Sequence, residues 1–312
     1  MLEVNMYGDL DRDLNPLKVI DYFGLAQKSN ADVYLRRSNA MGEHLCFCNF
    51  CNMDSAEKLS RKIQMLSEFE IEIKEQNSTN ALSEPLIGLY TRLEKQFDAT
   101  LITLYFSESA LRLYYIINLA NTIAESIPRP VKYFEGTQID GFNCHFSHLW
   151  AFLNTLNRRQ LNSVYDILKN EKKEYQYFML NNQDIKTKWD IANQTLVENI
   201  QKNFLLIQRL IYNQKINFFS PYSMSEIANQ VSMHGWASTE HAAAFSDKNS
   251  LDFVTKNPTL ITAKWYVNII YEKLTLMKLS LFDKSIMNYI VGSSHVDINN
   301  EIERLIEKKP NY

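Results

Sequence analysis

The chain has 312 residues and a net charge of −3, with 22% charged and 46% hydrophobic residues. Its length is enough for two hydrophobic cores. Its slightly negative net charge excludes a protein whose whole surface attracts nucleic-acid phosphates. No stretch has about 20 nearly uncharged apolar residues, which a membrane-spanning helix requires. The N-terminal sequence lacks the basic and apolar regions of a secretory signal peptide. We therefore expect a cytoplasmic protein of two domains without a membrane partner.

Glycine divides the chain into two parts. The first 42 residues contain three glycines, whereas the long stretch between Phe142 and Val291 contains a single one, Gly235. Glycine supplies the positive φ angles that tight turns need. The glycine-poor part is therefore expected to be mostly helical, and the N-terminal part to alternate short strands with helices.

The N-terminal part has a regular order of predicted elements. In chain order, the pattern predicts a strand over 2–8, a helix over 15–28, a hairpin of strands over 31–37 and 44–51, a helix from Asp54 or Ser55 to Leu66, and a strand over 69–76. The alternation is clearest in the last strand, where Phe69, Ile71 and Ile73 share one face. The order is βαββαβ, and we expect an open-faced sandwich domain over residues 1–97.

From Ala99 onward the apolar residues recur with the helical period of 3.6. Helices are predicted over 101–125, 143–156, 159–173, 184–215, 223–245, 258–291 and 297–308, with a turn-rich stretch over 129–141 that could form a small hairpin. The fold class expected is therefore α+β, with a larger all-helical domain over residues 98–312.

The βαββαβ order followed by a helix resembles the histidine phosphocarrier protein HPr, and equally a ferredoxin-like domain such as an RNA-recognition motif. In HPr the phosphorylated histidine precedes an arginine and a proline at the start of the first helix. The corresponding segment here, residues 13–16, reads Asp-Leu-Asn-Pro. It keeps the proline and lacks the histidine and the arginine, which argues against phosphotransfer.

The resemblance to RNA-recognition motifs implies aromatic side chains on the open face of the sheet, where bases stack on them. Tyr34, Arg36 and Phe47 are the candidate binding residues, together with Tyr7 on the first strand. We expect these residues to share one face. For Tyr34 and Phe47, packing between domains is the favoured interpretation.

Residues 196–239 resemble the core-binding and helix-turn-helix region of the enhancer-dependent bacterial sigma factor. The segment SEIANQVSMHGWAST, residues 225–239, carries an Ile-Ala pair and a Met-His pair ahead of Ser-Thr. Upstream, NQKINFF at 213–219 resembles the end of the core-binding segment. The resemblance implies a nucleic-acid-associated factor that uses residues 223–245. Residues 239–245, where the recognition helix would lie, contain no arginine or lysine, which helices that read DNA normally carry.

The four cysteines offer a possible metal site. Cys46, Cys48 and Cys51 form a C-x-C-x-x-C pattern on or beyond the third strand, and Cys144 lies far along the chain. A structural zinc site usually pairs one C-x₂₋₄-C knuckle with a second ligand pair. We interpret these cysteines as small buried hydrophobic residues and expect no metal.

Histidines in the helical part are candidate pocket residues. His145 and His148 are three residues apart with Trp150 nearby, and His234 and His241 are seven apart on one helix face. They could converge in a pocket. Di-iron bundles need Glu-x-x-His pairs, which neither pair provides, and we therefore expect no cofactor.

The chain lacks the nucleotide-binding P-loop, G-x-G-x-x-G, G-x-S-x-G and H-E-x-x-H motifs. The leading hypothesis is a non-catalytic intracellular regulatory or adaptor protein that binds another macromolecule, through a protein partner or self-association. The second is a nucleic-acid-associated factor that uses residues 223–245. The third is an enzyme whose helical domain holds a pocket lined by histidine and aromatic residues.

Overall fold

The structure is a computed structural model. It describes residues 2–8, 33–38, 44–50, 52–66, 69–75, 109–127, 141–213, 279–294 and 297–310, with some helical positions within 21–28 and 258–274. The chain divides into two compact units. The sheet unit comprises Met1–Arg112 and Glu272–Leu279, and the helical unit comprises Leu113–Tyr271 and Ser280–Tyr312. The expected domain boundary between residues 97 and 98 stays a prediction.

The sheet unit contains four antiparallel strands. They are β1 (Leu2–Tyr7), β2 (Tyr34–Ser38), β3 (His44–Phe50) and β4 (Glu70–Glu75), in the spatial order β2-β3-β1-β4. Strands β2 and β3 pair antiparallel, as the sequence predicted. Helix α1 (Met53–Leu66) joins β3 to β4 in the chain. Because most of the predicted helix over 15–28 lies outside the described residues, the βαββαβ order stays a prediction.

The two faces of the sheet differ in chemistry. Val4 lies opposite Phe47 on β3 and Ile73 on β4, whereas its neighbour Asn5 lies opposite Cys46 and Glu72. Opposite residues of antiparallel strands share a face, and consecutive residues alternate between faces. One face is therefore apolar and the other polar. Val4, Asn5, Cys46 and Phe47 are each no more than 5% exposed, so the central strands are buried on both faces. An open-faced sandwich would leave one of these faces exposed.

Helix α1 begins where Asn52 accepts a hydrogen bond, at 2.9 Å, from the backbone N–H of Ser55. The cap is therefore Asn52, whereas the sequence suggested Asp54 or Ser55. The helix buries Ala56, Leu59 and Ile63 at helical spacing. It packs on β1, β3 and β4.

The rest of the described chain is helical. The helices are α2 (Ser109–Ser126), α3 (Gly141–Asn154), α4 (Arg158–Asn181), α5 (Gln183–Tyr212), α6 (Leu281–Gly292) and α7 (Ile298–Lys308). A small antiparallel sheet together with a long helical region confirms the α+β class. No helix within the described ranges is long and apolar enough to cross a membrane. The predicted turn-rich stretch before Gly141 and the predicted helix over 223–245 lie outside those ranges.

Helix α4 is longer than the prediction that ended it at residue 173. Asn157 caps its start with a capping box that includes Gln160, and the helix continues because Tyr175 and Met179 keep the buried stripe going. It ends where the backbone N–H of Asn182 donates to the Phe178 carbonyl, at 3.0 Å.

The prediction of one continuous helix over 258–291 is wrong. The chain is non-helical at Leu279 and Ser280, and α6 starts immediately afterwards. The Ser280 hydroxyl oxygen accepts from the backbone N–H of Asp283 at 3.1 Å, while the Asp283 carboxylate accepts from the Ser280 N–H at 2.7 Å. This reciprocal capping box fixes a new helix start, although the apolar period continues through it.

One glycine allows two helices of the helical unit to approach closely. A Cβ atom on Gly141, the first residue of α3, would lie 2.5 Å from the Cα of Ala124 in α2. Backbone atoms cannot move away as a flexible side chain can. Glycine is therefore required where α3 begins against α2.

Candidate functional site

A cleft of about 730 Å³ lies within the helical unit, between α2, α4 and α5. Five of its lining residues carry side-chain amides: Asn118, Asn121, Gln176, Gln183 and Gln194. We call this site the amide cleft. Its charged lining residues are Glu125, Lys186 and Asp190. The cleft therefore combines amide and charged side chains with apolar ones such as Met179, Leu180 and Val197.

Helical periodicity places these residues side by side. On α5, Lys186, Asp190 and Gln194 are four residues apart, so they form one stripe along the helix. On α2, Asn118 and Glu125 are seven apart and lie two turns from each other on one face. Each helix thus presents a polar stripe to the same space.

A chain of hydrogen bonds runs from the core into the cleft. The Tyr115 hydroxyl donates to Oδ1 of Asn193 at 3.4 Å, and Nδ2 of Asn193 donates to Oδ1 of Asn118 at 2.9 Å. Nδ2 of Asn118 donates to Oδ1 of Asp190 at 3.1 Å. Oδ2 of Asp190 accepts from Nζ of Lys186 at 2.5 Å. The Asp190 carboxylate is therefore held from behind by buried groups.

The amides of this chain are deeply buried. Asn118 is 6% exposed and Asn193 is 2% exposed. A buried amide without partners costs about 1–3 kcal/mol, and the two amides avoid this cost by bonding to each other. Their mutual hydrogen bond orients the Asn118 amide so that its Nδ2 faces the Asp190 carboxylate.

Aromatic rings pack behind the cleft. The rings of Tyr115 and Trp189 meet edge to face with centroids 5.3 Å apart, and Phe178 stacks on Trp189 at 6.1 Å. Tyr114 contacts Phe178 at 5.0 Å and Tyr175 at 5.7 Å. Such ring pairs add stability beyond their buried area. They make the wall that carries Tyr175 rigid.

Tyr175 reports the electrostatic character of the cleft. Burial raises the pKa of its phenol to about 12; a hydrogen bond with Asn121 opposes this rise, and the negative charges of Asp190 and Glu125 add to it. The phenol therefore stays neutral at physiological pH. Because both carboxylates act on one hydroxyl, they lie around the same space.

The pocket expected from histidines and Trp150 in the helical part stays a prediction, because the structure describes only part of it. His148 and Trp150 lie on α3, both half-buried, and the Trp150 ring packs on Phe146 with centroids 5.6 Å apart. Neither lines the amide cleft. His234 and His241 lie outside the described residues.

His145 is a core residue between α3 and α6. Its Nδ1–H donates to Oδ1 of Asn288 at 2.8 Å, and the side chain is fully buried. Burial lowers the pKa of the imidazole to about 4; the hydrogen bond with Asn288 opposes this shift, and the charge of Lys284 adds to it. His145 is therefore neutral at physiological pH and serves the packing of α3 on α6.

The expectation that Tyr34, Arg36 and Phe47 share one face of the sheet is wrong. Tyr34 pairs with Cys48 and Arg36 pairs with Cys46, so both belong to the polar face by register. Phe47 lies between those two cysteines in β3 and therefore belongs to the apolar face. It is fully buried, which removes it from any exposed stacking surface.

A smaller polar cluster lies on the polar face of the sheet. The Tyr7 hydroxyl donates to Oε2 of Glu72 at 2.7 Å, and Nζ of Lys74 lies 3.4 Å from both groups. The Tyr7 ring packs against His44 with centroids 4.6 Å apart. Burial and the bond to Glu72 raise the pKa of Tyr7, and the same bond lowers the pKa of Glu72. These contacts tie β1 to β4.

The structure gives no support to a metal site in the part of the chain it describes. No group of three or more His, Cys, Asp or Glu residues there could hold a metal ion. Cys46, Cys48 and Cys144 are buried, consistent with their interpretation as small core residues. Cys51 lies outside the described ranges.

The sequence analysis missed the amide cleft, although α2 carries a signal for it. Asn118, Asn121 and Glu125 recur at helical spacing within a helix whose other residues are mainly apolar. A polar stripe in an apolar helix is costly unless its groups find partners. Such a stripe therefore indicates either a buried hydrogen-bond network or a polar site.

No family model matches the chain, and no curated protein matches it. The chain is similar to a solved structure described as "Crystal structure of TsrL", with a TM-score of 0.60 and 10% sequence identity. The match covers 100% of this chain and 99% of that chain. At this identity the likeness concerns the fold alone.

Proposed function

We propose that the chain is a non-catalytic binding protein of the regulatory or adaptor kind, and that the amide cleft holds part of a protein partner. The observation that carries the proposal is the cleft itself. Its volume of about 730 Å³ falls within the range of roughly 300–1,000 Å³ that is typical of ligand pockets. Its polar groups are held by buried hydrogen bonds and by the packed aromatic wall, so the site is formed before anything binds.

The chemistry of the lining favours a polypeptide. Each Asn or Gln side chain offers one carbonyl acceptor and two N–H donors. A polypeptide backbone alternates donors and acceptors in the same way. Asn118 is committed to Asn193 and Asp190, but the other amides that line the cleft offer the kinds of donor and acceptor with which a backbone segment pairs.

The charge of the cleft disfavours nucleic acid as its occupant. Among the described lining residues, Glu125 and Asp190 contribute two negative charges and Lys186 one positive charge, which leaves a net charge of −1. Binding of nucleic acid depends on neutralising phosphates with cations. The nucleic-acid hypothesis therefore rests on residues 223–245, which lie outside the described residues, and it stays an alternative proposal together with the resemblance to the sigma factor.

For the sheet unit we propose a ferredoxin-like arrangement rather than that of HPr. The order β2-β3-β1-β4 with antiparallel neighbours supports it. In this order β1 and β2 run parallel with β3 between them, and β3 and β4 run parallel with β1 between them. Both pairs are split βαβ units. The second of these crossovers is α1, and the first stays part of the proposal.

The enzyme hypothesis also stays an alternative. A polar cleft does lie in the helical unit, where that hypothesis placed a pocket, but the described lining contains no histidine. Tyr175 and Asp190 are the groups that an enzyme would use there. Turnover of a bound molecule would favour this alternative over simple binding.

The test compares two variants with matched chemistry at the edge of the cleft and away from it. Leu180 lines the cleft and is 71% exposed, whereas Ile191 is 68% exposed and does not line it. Leu180→Arg introduces a long charged side chain at the cleft, and Ile191→Arg makes the same change elsewhere. Both positions are exposed, so we expect both variants to fold like the unmodified protein.

The tagged proteins are incubated with native lysate in nuclease-treated and untreated halves, and bound material is identified by mass spectrometry. We expect a stoichiometric protein that survives nuclease, is retained by Ile191→Arg and is lost by Leu180→Arg. Equal retention by both variants would overturn the role of the cleft. Material that disappears with nuclease would support the nucleic-acid alternative instead.

A further inference from the structure

We infer that the amide cleft takes a cationic group of its ligand, an alkylammonium or a guanidinium, on the carboxylate of Asp190, in place of the Lys186 ammonium. The inference rests on the proposed function and names the chemistry that the cleft reads. It is carried by the placement of Asp190, by the ammonium already bound there, and by a second carboxylate across the cleft.

Asp190 is positioned to present one oxygen. Its Oδ1 accepts a hydrogen bond from Nδ2 of Asn118 at 3.1 Å, and Asn118 is in turn held by the buried Asn193. Its Oδ2 is the atom that accepts from Lys186. The hydrogen bond from Asn118 orients the carboxylate so that Oδ2 faces the cleft. The cleft therefore offers a fixed anionic acceptor.

Lys186 shows that an ammonium fits at this acceptor. Its Nζ lies 2.5 Å from Oδ2 of Asp190, and the two side chains are 40% and 43% exposed. An exposed pair at i, i+4 contributes little to stability. Lys186 can therefore swing into solvent at small cost when another cation takes its place.

A second carboxylate faces the same space from another helix. Glu125 lines the cleft from α2 and is exposed. Asp190 and Tyr175 line the same cleft, and the two carboxylates add to the rise in the Tyr175 pKa that burial causes. Lys186 is the sole cation among the described lining residues. Once it swings out, the cleft carries two unbalanced negative charges.

The experiment uses two probes that differ by charge alone. N-acetyl-arginine-N-methylamide carries a guanidinium between two amide groups, and the citrulline analogue is its neutral isostere. Dissociation constants for the full-length protein are measured by isothermal titration calorimetry at low salt. We expect the arginine probe to bind about threefold more tightly, as suits an ion pair with a partly exposed carboxylate. Spermidine, measured in parallel, distinguishes a free polyamine from an arginine side chain as the source of the cation.

Two pairs of variants locate the effect. Asp190→Asn keeps an oxygen for Asn118 and removes the charge, so the arginine probe should lose its advantage over the citrulline probe. Asp184→Asn removes a charge from the first turn of the same helix, outside the cleft, and should leave the advantage intact. Lys186→Met removes the internal competitor and should tighten binding of the arginine probe about threefold. Lys188→Met, an exposed position outside the lining, should not.

The outcomes separate this inference from the proposed function. Equal affinity for the arginine and citrulline probes would overturn the inference that Asp190 binds a cationic group. The same holds if neither the arginine probe nor spermidine binds at millimolar concentration. If the partner captured from lysate is still lost with Leu180→Arg, the proposed function stands in that case. Loss of the charge preference with Asp184→Asn as well as with Asp190→Asn would also contradict the inference, because it would reflect the general field of α5.

Discussion

Two sets of buried, hydrogen-bonded side chains among the described residues of the helical unit differ in where their hydrogen bonds lead. Between α3 and α6, His145 and Asn288 are hydrogen-bonded within the packed core. Between α2 and α5, Asn118 and Asn193 are almost as deeply buried, but their hydrogen bonds lead to Asp190 at the surface of the amide cleft. The comparison teaches that burial of a polar side chain does not by itself indicate function. A continuous path of hydrogen bonds from the buried group to a cleft marks a candidate site, whose function is tested by binding.

The largest effect that sharpens this comparison is the pH dependence of the free energy of unfolding that the titration of His145 causes. The pKa of His145 is lowered from 6.5 to about 4 in the folded protein, so the unfolded chain binds the proton more tightly. The stabilising effect is complete above pH 6.5 and is lost as the pH falls toward 4. The free energy of unfolding should fall by about 3 kcal/mol across that window. Urea unfolding at a series of pH values measures it.

The control for this pH dependence is His145→Asn, which can keep the hydrogen bond to Asn288 without titrating. It should be less stable at neutral pH because the smaller side chain leaves a void. The slope of its unfolding free energy between pH 6.5 and 4 should be smaller than that of the unmodified protein. An unchanged slope would mean that other groups cause the acid sensitivity.

An intermediate effect is expected at the buried end of the cleft network. Asn193→Leu removes both the donor to Asn118 and the acceptor for Tyr115, which leaves these groups without their partner. The free energy of unfolding should fall by about 2 kcal/mol. Gln194→Leu, an exposed neighbour on the same helix, should change it by less than about 0.5 kcal/mol. Thermal unfolding of both variants gives the comparison, and equal values would contradict the buried network.

The smallest effect on stability is expected at the exposed end. Lys186→Met breaks the pair with Asp190, but exposed pairs of this spacing contribute only about 0.3–0.5 kcal/mol. Thermal unfolding should therefore be almost unchanged. A loss of more than about 1 kcal/mol would show that Lys186 is a structural residue and not an exchangeable one.

Much of the sheet could be predicted from the sequence because a strand shows itself in the local alternation of apolar and polar residues. The alternation of Ile71 and Ile73 with charged neighbours gave β4 to within a residue or two at each end. The face of Phe47 could not be predicted in the same way. Every residue of β3 with a described side chain is buried, so the strand shows no alternation, and only its pairing with β1 and β2 decides the faces.

The helices were predicted better than the site that they form. Periodicity found α2, α4 and α5, but it continued across Ser280, where a capping box outweighs it. The cleft joins Asn118, Gln176 and Asp190, which are far apart in the chain. No local sequence pattern predicts that α2, α4 and α5 come together at these three residues. Likewise, the sequence could not distinguish the buried His145 from a ligand-binding histidine.

The central claim is that the amide cleft is where the partner binds, and amide hydrogen exchange of the captured complex tests it most directly. Exchange is followed by mass spectrometry for the free protein and for the complex. We expect slower exchange in the complex for peptides that contain residues 118–125, 175–183 and 186–197, with the peptide around His145 unchanged. Slower exchange confined to other segments, with the cleft peptides unchanged, would contradict the account.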